Sequence, residues 1–111
     1  RIGLELGRNP AVSAVFAAND QMALGAMRAM HELGRSIPED VSIVGFDDLE
    51  EAASFWPPLT TIRQDFHAVG RLSIENLLHQ IAGDTPARDV SVPTRLMVRK
   101  STAPPAPGRS A

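Results

Sequence analysis

The sequence predicts an α/β fold, a fragment of open parallel sheets with flanking helices, on three observations. Apolar runs alternate with amphipathic helical segments in the order strand, helix, strand, and then strand, helix, strand. The run "VSIVGF" lacks clean polar alternation, as expected of a parallel strand covered on both faces. Only two helices of useful length accompany three or four strands, too few to cover both faces of a sheet, so the chain looks incomplete and is read as the C-terminal portion of a larger α/β protein.

Each element follows from its residues. "AVSAVFAAND" opens with Val12, Val15 and Phe16, a buried strand, and then meets Asn19 and Asp20, residues that favour helix starts. Over residues 21–33, Met22, Ala23, Ala26, Met27, Met30 and Leu33 recur at helical spacing, and Gly34 stands where a left-handed C-terminal cap belongs. Met22, Met27 and Met30 read as core filling, while Leu24 lies off the main apolar face. Pro38 interrupts before the second strand, which ends at Asp47. Pro57 and Pro58 force an irregular connection, and residues 59–63 form a short extended crossing. Phe66, Val69, Leu77, Leu78 and Ile81 define a second amphipathic helix, capped by Asp65 and closed by Gly83. "DVSVPTRLMVRKS" is a last strand, with Pro93 placing its start on an edge. The domain is expected to span residues 1–102, and "APPAPGRSA", residues 103–111, to be a disordered, solvated tail.

Composition excludes several classes. At 111 residues with 43% hydrophobic content, one core at most is expected. A formal charge of -2 with scattered Lys and Arg leaves no basic footprint, so this segment is not itself a nucleic-acid-binding module. No apolar run is long enough to span a bilayer, and no membrane association is expected. The absence of Cys excludes disulfides and thiolate chemistry. His31, His67 and His79 lie on predicted helices without a metal-ligand pairing and read as surface residues. There is no phosphate-cradling loop, nucleophile elbow or metal quartet, so neither catalysis nor a metal or cofactor is expected.

The polar pairs are another matter. Open α/β sheets bind ligands just beyond the carboxyl ends of their strands, where Asn19 with Asp20 and Asp47 with Asp48 both fall, and the two pairs are expected to meet in one crevice. A carboxylate accepts from two neighbouring hydroxyls and an Asn amide both donates and accepts, chemistry suited to a polyhydroxylated molecule. Phe66 or Trp56 would supply the apolar face on which a sugar ring lies. Structural roles stand beside these: a helix cap and first-turn acid for Asn19 and Asp20, a turn pair for Asp47 and Asp48, a helix start for Gln64 and Asp65. Spacing alone does not choose between them.

"ANDQMALGAMRA", "GFDD" and "PPLTTIRQDF", in that order, resemble the lactose/galactose repressor family of bacterial transcription regulators, and the resemblance runs from about Ala11 through Thr102. It implies a periplasmic-binding-protein-like (type I) fold of two α/β subdomains joined by crossing strands, with the effector in the cleft between them. By the same resemblance Asn19 and Asp47 contact effector hydroxyls, Gln64 is a hinge or pocket residue, Phe66 lines the cleft, and the chain crosses between subdomains near residues 62–65. Leu24 matches a leucine of the family's dimer contact and Phe55 stands where that contact has tyrosine, implying a homodimer. The operator-binding headpiece and the leucine-rich tetramer-forming tail have no counterpart here, and Trp56 replaces a smaller residue. The implied function is effector sensing in a cytoplasmic, DNA-binding repressor that responds to a sugar or related metabolite. The alternative is an extracytoplasmic sugar-binding protein of a transport system with the same fold.

Overall fold

Val15 pairs with Ile43 at the centre of a parallel ladder, with Ala14↔Ser42 and Phe16↔Val44 on either side, joining β1 (Ala14–Phe16) to β2 (Ser42–Val44). The computed structural model describes residues 1–83 and 91–105. They fall into two units: Arg1–Arg63 with the residues from Leu96 on, and Gln64–Arg95.

In the first unit the ladder extends beyond β2. Gly45 N donates to Thr60 O at 3.0 Å and Asp47 N to Ile62 O at 2.8 Å, with parallel bridges Val44↔Thr60 and Asp47↔Arg63. This aligns β3 (Thr61–Arg63), which in turn neighbours β4 (Arg95–Met97). The returning chain is tied in by Ser101, a buried residue whose Oγ donates to Ile43 O at 2.6 Å and accepts from Thr60 N at 2.8 Å. Ala103, placed at the start of the tail by composition, exchanges bonds with Ser42 Oγ through both its N and its O. Residues 106–111 of the expected tail lie outside the described residues.

α2 (Asp20–Glu32) covers one face of this sheet. Asn19 Oδ1 accepts from Met22 N at 2.8 Å, satisfying one of the amides a helix start leaves unpaired. Leu33 closes the helix and Gly34 follows at φ 71°, the left-handed conformation its missing Cβ permits. Met27, Met30, Val41, Ile43 and Leu59 are almost wholly buried around this packing, each contributing about 1.5–3 kcal/mol. Met22 is not part of that core: it is exposed, because it stands on the helix shoulder beside β1 and not over β2.

One element is new and one further expectation is corrected. α1 (Ile2–Gly7) is a helix that the sequence reading left unassigned. Six residues with two glycines have poor helix propensity, and what secures α1 is contact: a Cβ on Gly3 would come 3.0 Å from Ala29 Cβ, and one on Gly7 2.6 Å from Leu33 Cδ1, so both glycines let α1 lie directly on α2. β1, expected to be buried, is largely open, with Phe16 exposed. An apolar groove of about 520 Å³, lined by Leu6, Phe16, Met22 and Ala26 among others, runs between α1, β1 and α2.

The second unit is dominated by α3 (Phe66–Ala82), with Asp65 Oδ1 accepting from Ala68 N at 2.9 Å and Gly83 closing it at φ 72°. The expected boundaries hold, but the expected buried face does not: α3 has no buried residue, and Ile74, Leu77, Leu78 and Ile81 are all exposed. The last strand is shorter than expected, since residues 91–94 carry no regular structure and residues 89–90 lie outside the described ones. Among the described residues, no helix is long and apolar enough to cross a membrane.

Candidate functional site at the strand carboxyl ends

Asn19 and Asp47 each stand three residues beyond the last register pair, Phe16↔Val44. The parallel ladder thus delivers both polar pairs to one end of the sheet. The two segments are tied there by Asp20 N, which donates at 3.0 Å to the carbonyl O of Phe46, the residue before Asp47.

Within each pair the two residues divide their labour. Asn19, half-buried, caps α2 through Oδ1. Asp20 is wholly buried: its Oδ1 accepts from Thr61 Oγ1 at 2.6 Å and its Oδ2 from Leu49 N at 2.7 Å. A carboxylate so enclosed, at a helix N-terminus and bonded through both oxygens, ties α2 to β3 and to the loop after β2. Gly45 makes room for it, since a Cβ there would collide with Asp20 Oδ1 and come 2.9 Å from Leu59 Cδ2.

Asp47 and Asp48 form a turn with left-handed backbone, φ 112° and 56°. Strain of this kind, about 1–3 kcal/mol per residue, is held where surrounding structure over-determines it and gathers at functional sites. Asp47 is half-buried. The Asp48 side chain is 4% exposed, its Oδ2 accepting from Arg63 Nε at 2.7 Å and its Oδ1 from Arg99 Nη2 at 2.8 Å. Burial alone would raise the Asp48 carboxyl, but hydrogen bonds and charge from Arg63 and Arg99 outweigh it and hold the group below its ordinary value of 3.8. Arg99 is itself fixed, its Nη1 donating to Leu59 O at 2.8 Å and its backbone N to Thr60 Oγ1 at 2.9 Å.

Gln64 and Phe66 belong to the second unit: Gln64 is its first residue, and Phe66, exposed, begins α3. Gln64 lines a small recess with Val69, Leu72, Ser73, Ser91 and Val92. Sequence reasoning missed Thr61, Arg63 and Arg99, whose roles depend on partners far along the chain. The signal available for Arg63 was its position next to Gln64 at the crossing.

The two residues expected at a dimer contact also differ from one another. Leu24 is exposed on α2, sharing a helical face with Arg28 and His31. Phe55, after the 3₁₀ turn Glu50–Ser54, is partly buried and packs against the hydrophobic core. Trp56 is 84% exposed, and its carbonyl accepts from His31 Nε2 at 3.0 Å, which sets it beside the Leu24 face. Among the described residues no group of three or more His, Cys, Asp or Glu is placed to hold a metal ion.

This arrangement defines an open α/β domain with polar side chains gathered at strand carboxyl ends. The periplasmic binding protein-like domain family matches residues 2–102. The lactose operon repressor of Escherichia coli K12 is 45% identical over 93 residues, covering 84% of this chain and 26% of that protein. A solved lac repressor dimer bound to operator and the anti-inducer ONPF superposes with a TM-score of 0.84 at 41% identity, covering 91% of this chain and 36% of that one. The complex of the transcriptional regulator CelR with cellobiose superposes with a TM-score of 0.80 at 40% identity, covering 89% and 32%. The chain belongs to the lactose/galactose repressor family of transcription regulators, with a periplasmic binding protein-like core. It spans about a quarter of the length of the E. coli relative.

Proposed function

We propose that this chain is the effector-binding and dimerising portion of a cytoplasmic, DNA-binding transcriptional repressor that responds to a sugar or related small metabolite. The observation that carries the reading is the delivery of Asn19 and Asp47 to one end of the parallel ladder, with Asp47 on a left-handed turn. Asp47 accepts from effector hydroxyls, Asn19 adds an amide, and Gln64 and Phe66 contribute polar and aromatic contacts. Operator DNA is bound through a headpiece that is not among these residues. The effector acts by binding one of two repressor states more tightly, shifting the population between operator-competent and incompetent forms. Leu24 and Phe55 contribute to a homodimer, as the dimeric relative suggests. No enzymatic activity and no cofactor enter this reading. The relatives reported above are regulators, which favours it over a transport-associated sugar-binding protein.

The test is calorimetry on the full-length protein with a panel of mono- and disaccharides that includes lactose and cellobiose, alongside gel shifts with DNA from upstream of its own gene. One sugar is expected to bind and to change the DNA affinity. In Asp47→Ala that sugar should bind about two to four decades more weakly, since two charged hydrogen bonds of about 1.5–3 kcal/mol each are lost, while DNA binding without sugar is retained. A protein that ignores the whole panel, or a folded Asp47→Ala variant with unchanged affinity, would overturn the assignment.

A further inference from the structure

Three successive residues of the loop after β2 are pinned from three directions. Asp47 N is held by Ile62 O, the Asp48 carboxylate by Arg63 and Arg99, and Leu49 N by Asp20 Oδ2. Two consecutive non-glycine residues with positive φ need such support, because neither would keep that conformation alone. The central support has a particular reach. Arg63 is the last residue before the chain passes into the Gln64–Arg95 unit, and Arg99 follows soon after its return at Leu96. Arg99 is well buried and fixed by Leu59 and Thr60, whereas the Arg63 side chain is half exposed, so Asp48 is gripped firmly from one side and more loosely from the other.

We infer that Asp48 is a positioning residue of the effector site: its ion pairs to Arg63 and Arg99 hold the left-handed turn that presents Asp47, and bind that turn to both passages of the chain between the two units. The inference rests on the proposed role of Asp47 as an effector ligand. Asp48 itself needs no contact with the effector, since both its oxygens are engaged by arginines. A displacement of Asp47 on binding is therefore passed to Arg63 and Arg99 through one buried carboxylate. Asp47 already meets β3 through its own N–H to Ile62 O, and the clamp adds to that link the Arg63 side chain and, through Arg99, the returning passage of the chain.

The experiment uses the full-length protein and the tightest-binding sugar of the panel. Asp48→Asn keeps the shape and removes the charge. It is expected to weaken sugar binding about tenfold or more, and the double variant with Arg99→Gln should be no weaker than Asp48→Asn alone, because the two groups act as one unit. A structural effect unrelated to the clamp would make the losses add. Arg63→Gln removes only the more exposed partner and guards against a variant that does not fold; it should weaken sugar binding about threefold to tenfold at unchanged melting temperature. Unchanged sugar affinity in Arg63→Gln and in folded Asp48→Asn, with Asp47→Ala blind to the sugar, would overturn the clamp and leave the ligand reading standing. Unchanged affinity in Asp47→Ala would remove both.

Discussion

Thr61 Oγ1 donates to Asp20 Oδ1 at 2.6 Å, and both residues are fully buried. This bond closes a triangle in which the first residue of α2 holds the start of β3 and, through Leu49 N, the loop after β2. Thr61→Val keeps the shape and leaves a buried carboxylate oxygen unmet, which should cost about 1–3 kcal/mol. Gly45→Ala should be at least as damaging, because its Cβ would be driven into Asp20 and Leu59. Both losses are read as a lowered urea midpoint at unchanged slope. An unaltered midpoint in either variant would show that Asp20 finds its partners elsewhere.

That triangle also marks the limit of what the sequence discloses. Local signals were legible: Asn19 as a cap, Gly34 and Gly83 as left-handed closures, and Asp65 as the start of α3 all sit where residue type put them. The polar pairs at the strand ends were legible too, since strand direction places them. What Asp20 and Asp48 do was not, because each is decided by a partner fifteen or more residues away, Arg63 for Asp48 and Leu49 or Thr61 for Asp20. α1 escaped notice because its stability comes from α2, not from its own residues. Periodicity named an apolar face on α3, but it reports what a face is made of and not whether this chain covers it, and here the face is open.

The Asp48 clamp gives a pH dependence of defined sign. Its carboxyl lies below the ordinary 3.8 in the folded protein, so its stabilisation is present above that value and fades as pH falls below it, through the folded-state value. The stability difference between the wild type and Asp48→Asn should therefore be equal at about pH 7 and about pH 5, and smaller near pH 3. A difference that already shrinks between pH 7 and pH 5 would mean that Arg63 and Arg99 do not hold the group as an anion.

The Leu24 face offers a test of assembly. Leu24 is 47% exposed, with Trp56 placed beside the same helical face through the bond from His31. In the full-length protein Leu24→Ala should weaken the dimer by about tenfold to a hundredfold, the scale of losing the burial of about half a leucine side chain in each of two copies. Sedimentation should find dimers dissociating at higher concentration than in the wild type, without change in sugar affinity. A tetramer, or a dimer indifferent to the substitution, would contradict the assignment.

Hydrogen exchange on the 111-residue chain should separate its two units. In the first, Ile43 N is bonded to Ser101 O within a sheet roofed by Met27 and Met30, so opening it means breaking the core. In the second, α3 has internal hydrogen bonds and two good caps but no buried side chain, and Ile74, Leu77, Leu78 and Ile81 remain open to water. A helix of 17 residues owes most of its stability to packing of its apolar face, and caps contribute only about 1 kcal/mol each. Amides of residues 70–82 should therefore exchange at least about a hundredfold faster than those of Met30 and Ile43. If that apolar face is a packing surface in the full-length protein, the same amides should become protected there. Equal protection of both units in the isolated chain would show that α3 is stabilised without burial; equal exposure of α3 in both proteins would show that its apolar face is not a packing surface.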